Sequence, residues 1–341
     1  MLSLSKTSSL QWITSALLVS ICPSFHSAHA QASHQTCTTA DHYKVIALPL
    51  RPARINNAGT IAGTTEDHQP ATWTEKDGLH EIELPEAFSA AEPRSMNANG
   101  AIVGEATRKD NSLPAAFRYS DAKFSLLSTD RSKAAAINDS GDVGGENSDH
   151  LVLWHSQKML SLGDCCGGTI RAMNNYAQIV GQINDKQGHF SAFVWDSSHG
   201  FKSINPTKSL NSTAIAINDS GHILVQAFVP NEIYLQSNGK NTLVKLSPEY
   251  ASQPLALNNC DQVVGEFGPA SDFNHAFIWD QKHGFRNLNE LANIGTEWNL
   301  ESAFDINDRG EIIGIGDRGG EQDVGFLLEP DHVATSPAKK R

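Results

Sequence analysis

Three glutamates recur at one place in this sequence. Glu105, Glu146 and Glu266 each follow a glycine that ends a short apolar run, and Gln182 and Gln226 hold the same place in two further runs. Carboxylates gathered at one level would form an acidic rim suited to a cationic or sugar-like ligand, or would supply a general acid and base drawn from different parts of the chain. The plainer alternative is that each Glu begins a solvated loop. Four histidines invite a metal reading. His150 and His275 stand four residues ahead of a Trp, with His68 and His189 nearby in other repeats. No close-spaced ligand pair of the kind zinc sites use accompanies them, so neither a metal nor another cofactor is expected. Asp139-Ser140-Gly141-Asp142 and Asp308-Arg309-Gly310-Glu311 lack the alternating oxygen ligands of a calcium loop and read as turns. There is no G-x-S-x-G, no H-E-x-x-H and no P-loop, so no catalytic residue is assigned.

The segments that must position these residues are short, rich in Ile, Val, Phe and Trp, and punctuated by Gly, Asn and Asp. That is strand-and-turn chemistry. An apolar residue followed by Asn recurs at Asn56, Asn97, Asn138, Asn174, Asn218, Asn258 and Asn307, at spacings of 41, 41, 36, 44, 40 and 49. Such a period suits four short strands and their turns, the size of one propeller blade. The first strand of each repeat carries small apolar residues, as in Ala134-Ala135-Ala136-Ile137, which suits the crowded innermost place. The turn after it is N-D-S-G at 138–141 and 218–221, where Asn bonds its own backbone and Gly supplies positive φ. Ala177 and Asp261 replace that Gly in two repeats, which implies a turn that is not rigidly required.

The third strand carries the large aromatic. Trp73, Trp154, Trp195 and Trp279 fall at this place, with Phe117, Tyr234 and Phe326 in or beside it elsewhere. A Trp buried between sheets is worth at most about 4–6 kcal/mol, so these side chains read as cement between blades. The last repeat lacks a fourth strand, and 42–48 ahead of the first repeat resembles one. The expected fold is therefore all-β: a seven-bladed β-propeller of four-stranded antiparallel blades over 42–330. The N-terminal strand would pair into the last blade and remove an exposed edge.

INDSGDVGG, MNNYAQIVGQ ahead of SAFVWD, and LNNCDQVVGE ahead of HAFIWD resemble the extracellular bacterial repeats named for their His-Ala-Phe triplet, the HAF repeat family. The triplet is literal only at His275-Ala276-Phe277, and repeat five departs most, with Val225 where the glycine stands elsewhere. The resemblance spans 43–330 and implies export and a propeller-like fold. It brings no established activity.

Lys6, an apolar stretch from Leu10 to Cys22, and Ala28-His29-Ala30 make 1–30 read as a cleavable secretory signal peptide, cut after Ala30, so a secreted or periplasmic protein is expected. Residues 31–41 read as an N-terminal tail and 331–341 as a disordered C-terminal one. The formal charge is −12, which disfavours nucleic acid and anionic membrane as partners, and no stretch is long enough to span a bilayer. An extracytoplasmic protein or a saccharide is the expected partner of a monomeric ring. Four cysteines lie beyond the leader. Cys37 precedes the closing strand and Cys260 lies in the first turn of blade six, so both should share the short-turn face and pair in an oxidising compartment. Cys165 and Cys166 would be a strained vicinal bridge or free thiols.

In a meander, loops between strands two and three and connectors between blades leave one face, and the first and third turns leave the other. The first set is long and varied, so binding is expected there. The sequence thus predicts a binding or scaffold module, with a channel-mouth hydrolase or lyase for a glycan or peptide as the alternative.

Overall fold

The computed structural model describes residues 37, 40–110, 113–156, 158–163, 167–206, 211–247, 250–269, 274–292, 295 and 297–331. Seven four-stranded antiparallel sheets follow one another along the chain. The sheet order in the seventh is Tyr43–Leu48, Glu321–Pro330, Ile312–Arg318, Trp298–Ile306, so the first strand of the chain completes the last blade. Tyr43 pairs with Pro330 and Leu48 with Gly325 along the closing seam. The first strand of each blade contacts the first strands of both neighbours, and blade seven returns to blade one, so these strands are innermost.

The core is distributed between the blades. Each of seven apolar clusters straddles one pair of neighbours: Leu50, Ile61 and Trp73 of blade one meet Ile313 and Leu327 of blade seven, and Trp279 and Phe277 of blade six meet Leu224 and Leu235 of blade five. The tryptophans are thus the expected cement. Strand pairing refines the aromatic position: Trp73, Trp154, Trp195 and Trp279 correspond to Tyr119, Gln236 and Leu328 in the other blades. Phe117, Tyr234 and Phe326 stand two residues earlier, at a second position shared with Phe193 and Phe277.

That second position faces a glycine. Every first strand carries a β-bulge three residues before its Asn, where one residue has no partner. The bulge drives a first-strand carbonyl against strand two, and a Cβ at Gly104 or Gly314 would strike the Glu92 or Ser302 carbonyl oxygen and the ring of Phe117 or Phe326. Blade five keeps the bulge with Val225 in the glycine's place.

The Asn turns are retained in all seven blades. Each Asn side-chain oxygen accepts from the backbone N–H four residues on, as in Thr60 to Asn56 at 3.0 Å and Glu311 to Asn307 at 3.0 Å. Ala177 and Asp261 adopt φ of +55° and +57°, the left-handed conformation that Gly supplies elsewhere. The turn geometry is therefore required even though its glycine is not, contrary to the looser sequence expectation. The side-chain amide then crosses to the next blade: Asn56 donates to the Asn97 carbonyl, Asn97 to Asn138, Asn174 to Asn218, Asn218 to Asn258, Asn258 to Asn307, and Asn307 back to Asn56. Asn138 instead donates to Asp142 within its own turn.

Cys37 and Cys260 are joined by a disulfide on this face, as the two positions suggested. Arg286 adds to the latch by donating to the Ala40 carbonyl at 3.0 Å and to Asp280 at 2.9 Å. Burial opposes ionisation of Asp280, but hydrogen bonds from the His283 ring and backbone, with the Arg286 charge, hold its carboxyl below the usual range. Burial pushes the Tyr43 hydroxyl up to about 12, against Arg286, so it stays protonated. Blade six's fourth strand ends at Asn287, and Leu288–Leu291 forms one helical turn capped by Asn287. Residues 1–30, the tail 332–341, Cys165 and Cys166 lie outside the described residues.

Four substitutions test the turns. Asn218→Ala removes bonds to Ser220, His222, Asn258 and Asp261 and should cost about 3 kcal/mol or more, by urea unfolding. Asn138→Ala removes side-chain bonds only within its own turn, to Asp142, and should cost less; equal costs would deny the inter-blade bond any weight. Ala177→Gly should gain about 1 kcal/mol by relieving the left-handed backbone. Asp261→Gly should lose stability, because its carboxylate accepts from Asn218 and His222.

Candidate functional site

An innermost strand is flanked by neighbouring sheets and backed by strand two, so water reaches it only from the channel and the strand ends. Residues five and three places before each Asn form two levels, exposed or half-exposed in most blades. The outer level, toward the long-loop mouth, holds Arg51, Glu92, Lys133, Thr169, Thr213, Gln253 and Ser302, of which Thr213 and Ser302 are buried. The deeper level is the bulge itself: Ala53, Arg94, Ala135, Arg171, Ile215, Leu255 and Phe304.

Strand register places all five rim candidates beside the outer level. Glu105 pairs with Glu92, Glu146 with Lys133, Gln182 with Thr169, Gln226 with Thr213 and Glu266 with Gln253. All five are half-buried at one height in blades two to six. Their surroundings are mixed in charge. Lys133 of blade three reaches Glu105 of blade two at 3.1 Å, and Arg94 pairs with Glu92 at 2.7 Å. Burial pushes the Glu146 carboxyl above the usual range, while Lys133, Arg131 and Arg171 pull it back and Glu105 adds to the rise. Beside it, the buried Asn147 side-chain oxygen has no hydrogen-bond partner. Sequence reasoning missed these cations because it followed strand two alone; counting back five residues from each Asn would have found Arg51 and Lys133.

The histidines do not converge. His150 is exposed in blade three, while His275 is half-buried in blade six, its ring 5.3 Å from Phe267 and its Nδ1 without a partner. His68 is exposed in a turn and His189 pairs with Asp185 at 3.0 Å. Among the described residues no three His, Cys, Asp or Glu side chains group as metal ligands would. Asp139 and Asp308 are occupied by the turns: Asp139 accepts from the Ala98 N–H at 2.8 Å and from Asn175, and Asp308 accepts from Asn259 and Asn57. A separate groove of about 570 Å³ lies between blades one and two, lined by residues such as Glu81, Glu83, Glu86 and Lys109, and contains none of the rim residues.

With the site placed, known proteins offer a likeness of fold. No protein-family model and no curated protein matches the sequence. Among solved structures, a catalytically inactive histidine-to-alanine variant of virginiamycin B lyase from Staphylococcus aureus, with quinupristin, matches with a TM-score of 0.58 and 13% identity over 84% of this chain and 99% of that one. The Swd1 β-propeller domain from Myceliophteria thermophila gives 0.55 at 13% identity over 85% and 99%. The β-propeller domain of the trilobed protease from Pyrococcus furiosus, described as having an open velcro topology, gives 0.55 at 10% identity over 86% and 95%. These likenesses show the propeller. In this chain the seam is paired along six residues, and a disulfide ties Cys37, ahead of the closing strand, to Cys260 of blade six.

The raised Glu146 carboxyl has a signed consequence. Its folded pKa exceeds the unfolded value, so its contribution to stability is complete below the ordinary carboxylate pKa and is lost as pH rises through the folded value. Glu146→Gln should therefore gain on the parent as pH is raised from about 4 toward neutrality, in thermal melts. A difference independent of pH would show that burial does not disfavour the charge.

Proposed function

We propose that this chain is an exported binding or scaffold module that holds an extracytoplasmic protein or saccharide against its long-loop face. The observation that carries this reading is the unequal treatment of the two faces. One face consists of seven near-identical turns whose polar groups are spent on one another, whereas the other presents loops that differ in every blade around a half-buried polar rim. Loops held on a rigid ring are where recognition resides. Export is supported by the leader-like residues 1–30 and by the Cys37–Cys260 bridge, which suits an oxidising compartment. The resemblance of the repeats to the HAF family points the same way. No described helix is long and apolar enough to cross a membrane.

The second reading, a hydrolase or lyase acting on a glycan or peptide at the channel mouth, is favoured by Glu146, whose raised carboxyl suits a proton donor. The two readings separate with glycan and peptide arrays probed by the protein, followed by the triple variant Glu105→Ala, Glu146→Ala, Glu266→Ala. A binding module should lose roughly tenfold or more in affinity while still melting as a folded protein. Unchanged affinity would remove the rim from the site. Turnover of a bound saccharide or peptide that Glu146→Gln abolishes without weakening binding would replace the first reading by the second.

A further inference from the structure

We infer that the middle of the channel is a binding site for an amphipathic anion, a carboxylate or sulfonate carried on an alkyl or aryl body. The inference goes beyond the loop-face reading and rests on the bulged residues, of which each blade sends one to the same level. They are unevenly distributed. Blades two and four supply Arg94 and Arg171, blades five to seven supply Ile215, Leu255 and Phe304, and none of the seven is acidic. The channel therefore has a cationic wall and an apolar wall at one height.

A further cation stands beside the apolar wall: the Arg51 guanidinium, at the outer level of blade one and paired with Asp323 at 3.2 Å, lies 5.8 Å from the centre of the Phe304 ring in the adjacent blade seven. Ile215, Leu255 and Phe304 keep part of their surface exposed on strands otherwise enclosed by protein. Leaving apolar surface in a water-filled channel is unfavourable at about 25 cal/mol per Å², and an apolar ligand body would recover that energy. Arg94 is engaged by Glu92, whereas Arg171 is exposed and makes no ion pair within 4 Å among the described residues, its charge acting on the Glu146 carboxyl only at longer range. Two residues from Ile215, the Thr213 hydroxyl is 95% buried with no hydrogen-bond partner and can donate to an anionic head.

Charge fixes the orientation. The short-turn end of the channel is collared by Asp139, Asp219 and Asp308, which alternate with Asn175, Asn259 and Asn57 in a run of side-chain hydrogen bonds. An anion entering by the long-loop mouth is repelled from that collar and held at the arginine level. Its body then lies on blades five to seven.

Isothermal titration of the full chain with sodium octanoate tests this, with octylammonium and acetate as controls. Octanoate should bind at one equivalent, while octylammonium and acetate should give no saturable heat over the same range. Arg171→Ala, at an exposed position, should weaken octanoate on the order of tenfold or more, the effect of losing one charge-assisted hydrogen bond, and Arg171→Lys should restore part of it. Ile215→Ser and Leu255→Ser should each weaken octanoate while thermal melts confirm folding. Absence of saturable octanoate binding, equal binding of octylammonium, or an unchanged Arg171→Ala variant would each overturn the proposal. None of these outcomes bears on the loop-face reading, whose arrays probe residues outside this level.

Discussion

A buried asparagine amide must find partners for its oxygen and both its hydrogens, and the rest of this ring depends on how that demand is met. Burying such a group unpaired costs several kcal/mol, so its geometry is dictated. In Asn258 the oxygen takes the N–H groups of Cys260 and Gln262, and the amide donates to Gln262 and to the Asn307 carbonyl in the next blade. One side chain therefore shapes its own turn and sets the distance to its neighbour. Six of the seven links run from blade to blade, including the one from Asn307 back to Asn56, so local turn chemistry also closes the circle. A second layer repeats the device one residue later: the N–H of Asp219 meets the Asn259 side chain, that of Asn259 meets Asp308, and that of Asp308 meets Asn57.

The bulge follows from the same crowding. Seven inner strands meeting at an axis cannot all remain regular, and an extra residue in each lets the strand turn while keeping its pairing. The cost appears in strand two, where a carbonyl crowds the Cα opposite and selects Gly104, Gly181 or Gly265. The benefit appears in the channel. A bulged residue is released from its ladder partner, so Arg94, Arg171 and Phe304 are free to vary where their neighbours cannot. Structural necessity and chemical freedom thus fall on adjacent residues. The large ring of Phe193, Phe277 or Phe326 then covers the bare backbone of the opposing glycine.

The architecture was legible because its period is written in residues with strong local preferences. Asn, Gly and Trp recur at one spacing, and each has one physical reason to stand where it does. The closing strand and the Cys37–Cys260 pair followed from counting strands and faces. Other features were hidden because they join residues far apart in sequence. The Asn amide serves a carbonyl about forty residues away, and nothing local to Asn97 announces its bond to Asn138. The rim was half legible: strand two displayed its Glu and Gln side chains, but their charge partners lie on first strands, one of them in the adjacent blade, as with Lys133 and Glu105. The helical turn at Leu288–Leu291 was also hidden, because an apolar residue after a strand looks like more strand until Asn287 caps it.

Closure by hydrogen-bonded turns also determines where recognition can occur. A ligand must offer the protein better partners than those it already has. On the short-turn face the Asn oxygen, its amide and the nearby N–H groups are already spent within the ring, and Asp219 and Asp308 are bridged by Asn259. Binding there would first have to break bonds that hold the blades together. At the other end strand two finishes in half-buried polar side chains whose loops carry no shared pattern, and the Asn147 and Thr213 oxygens remain without partners. Unspent hydrogen-bonding capacity therefore gathers at the channel mouth, while the cohesion of the ring gathers at the turns. A protein divided in this way can change what it binds without reopening the circle that holds it.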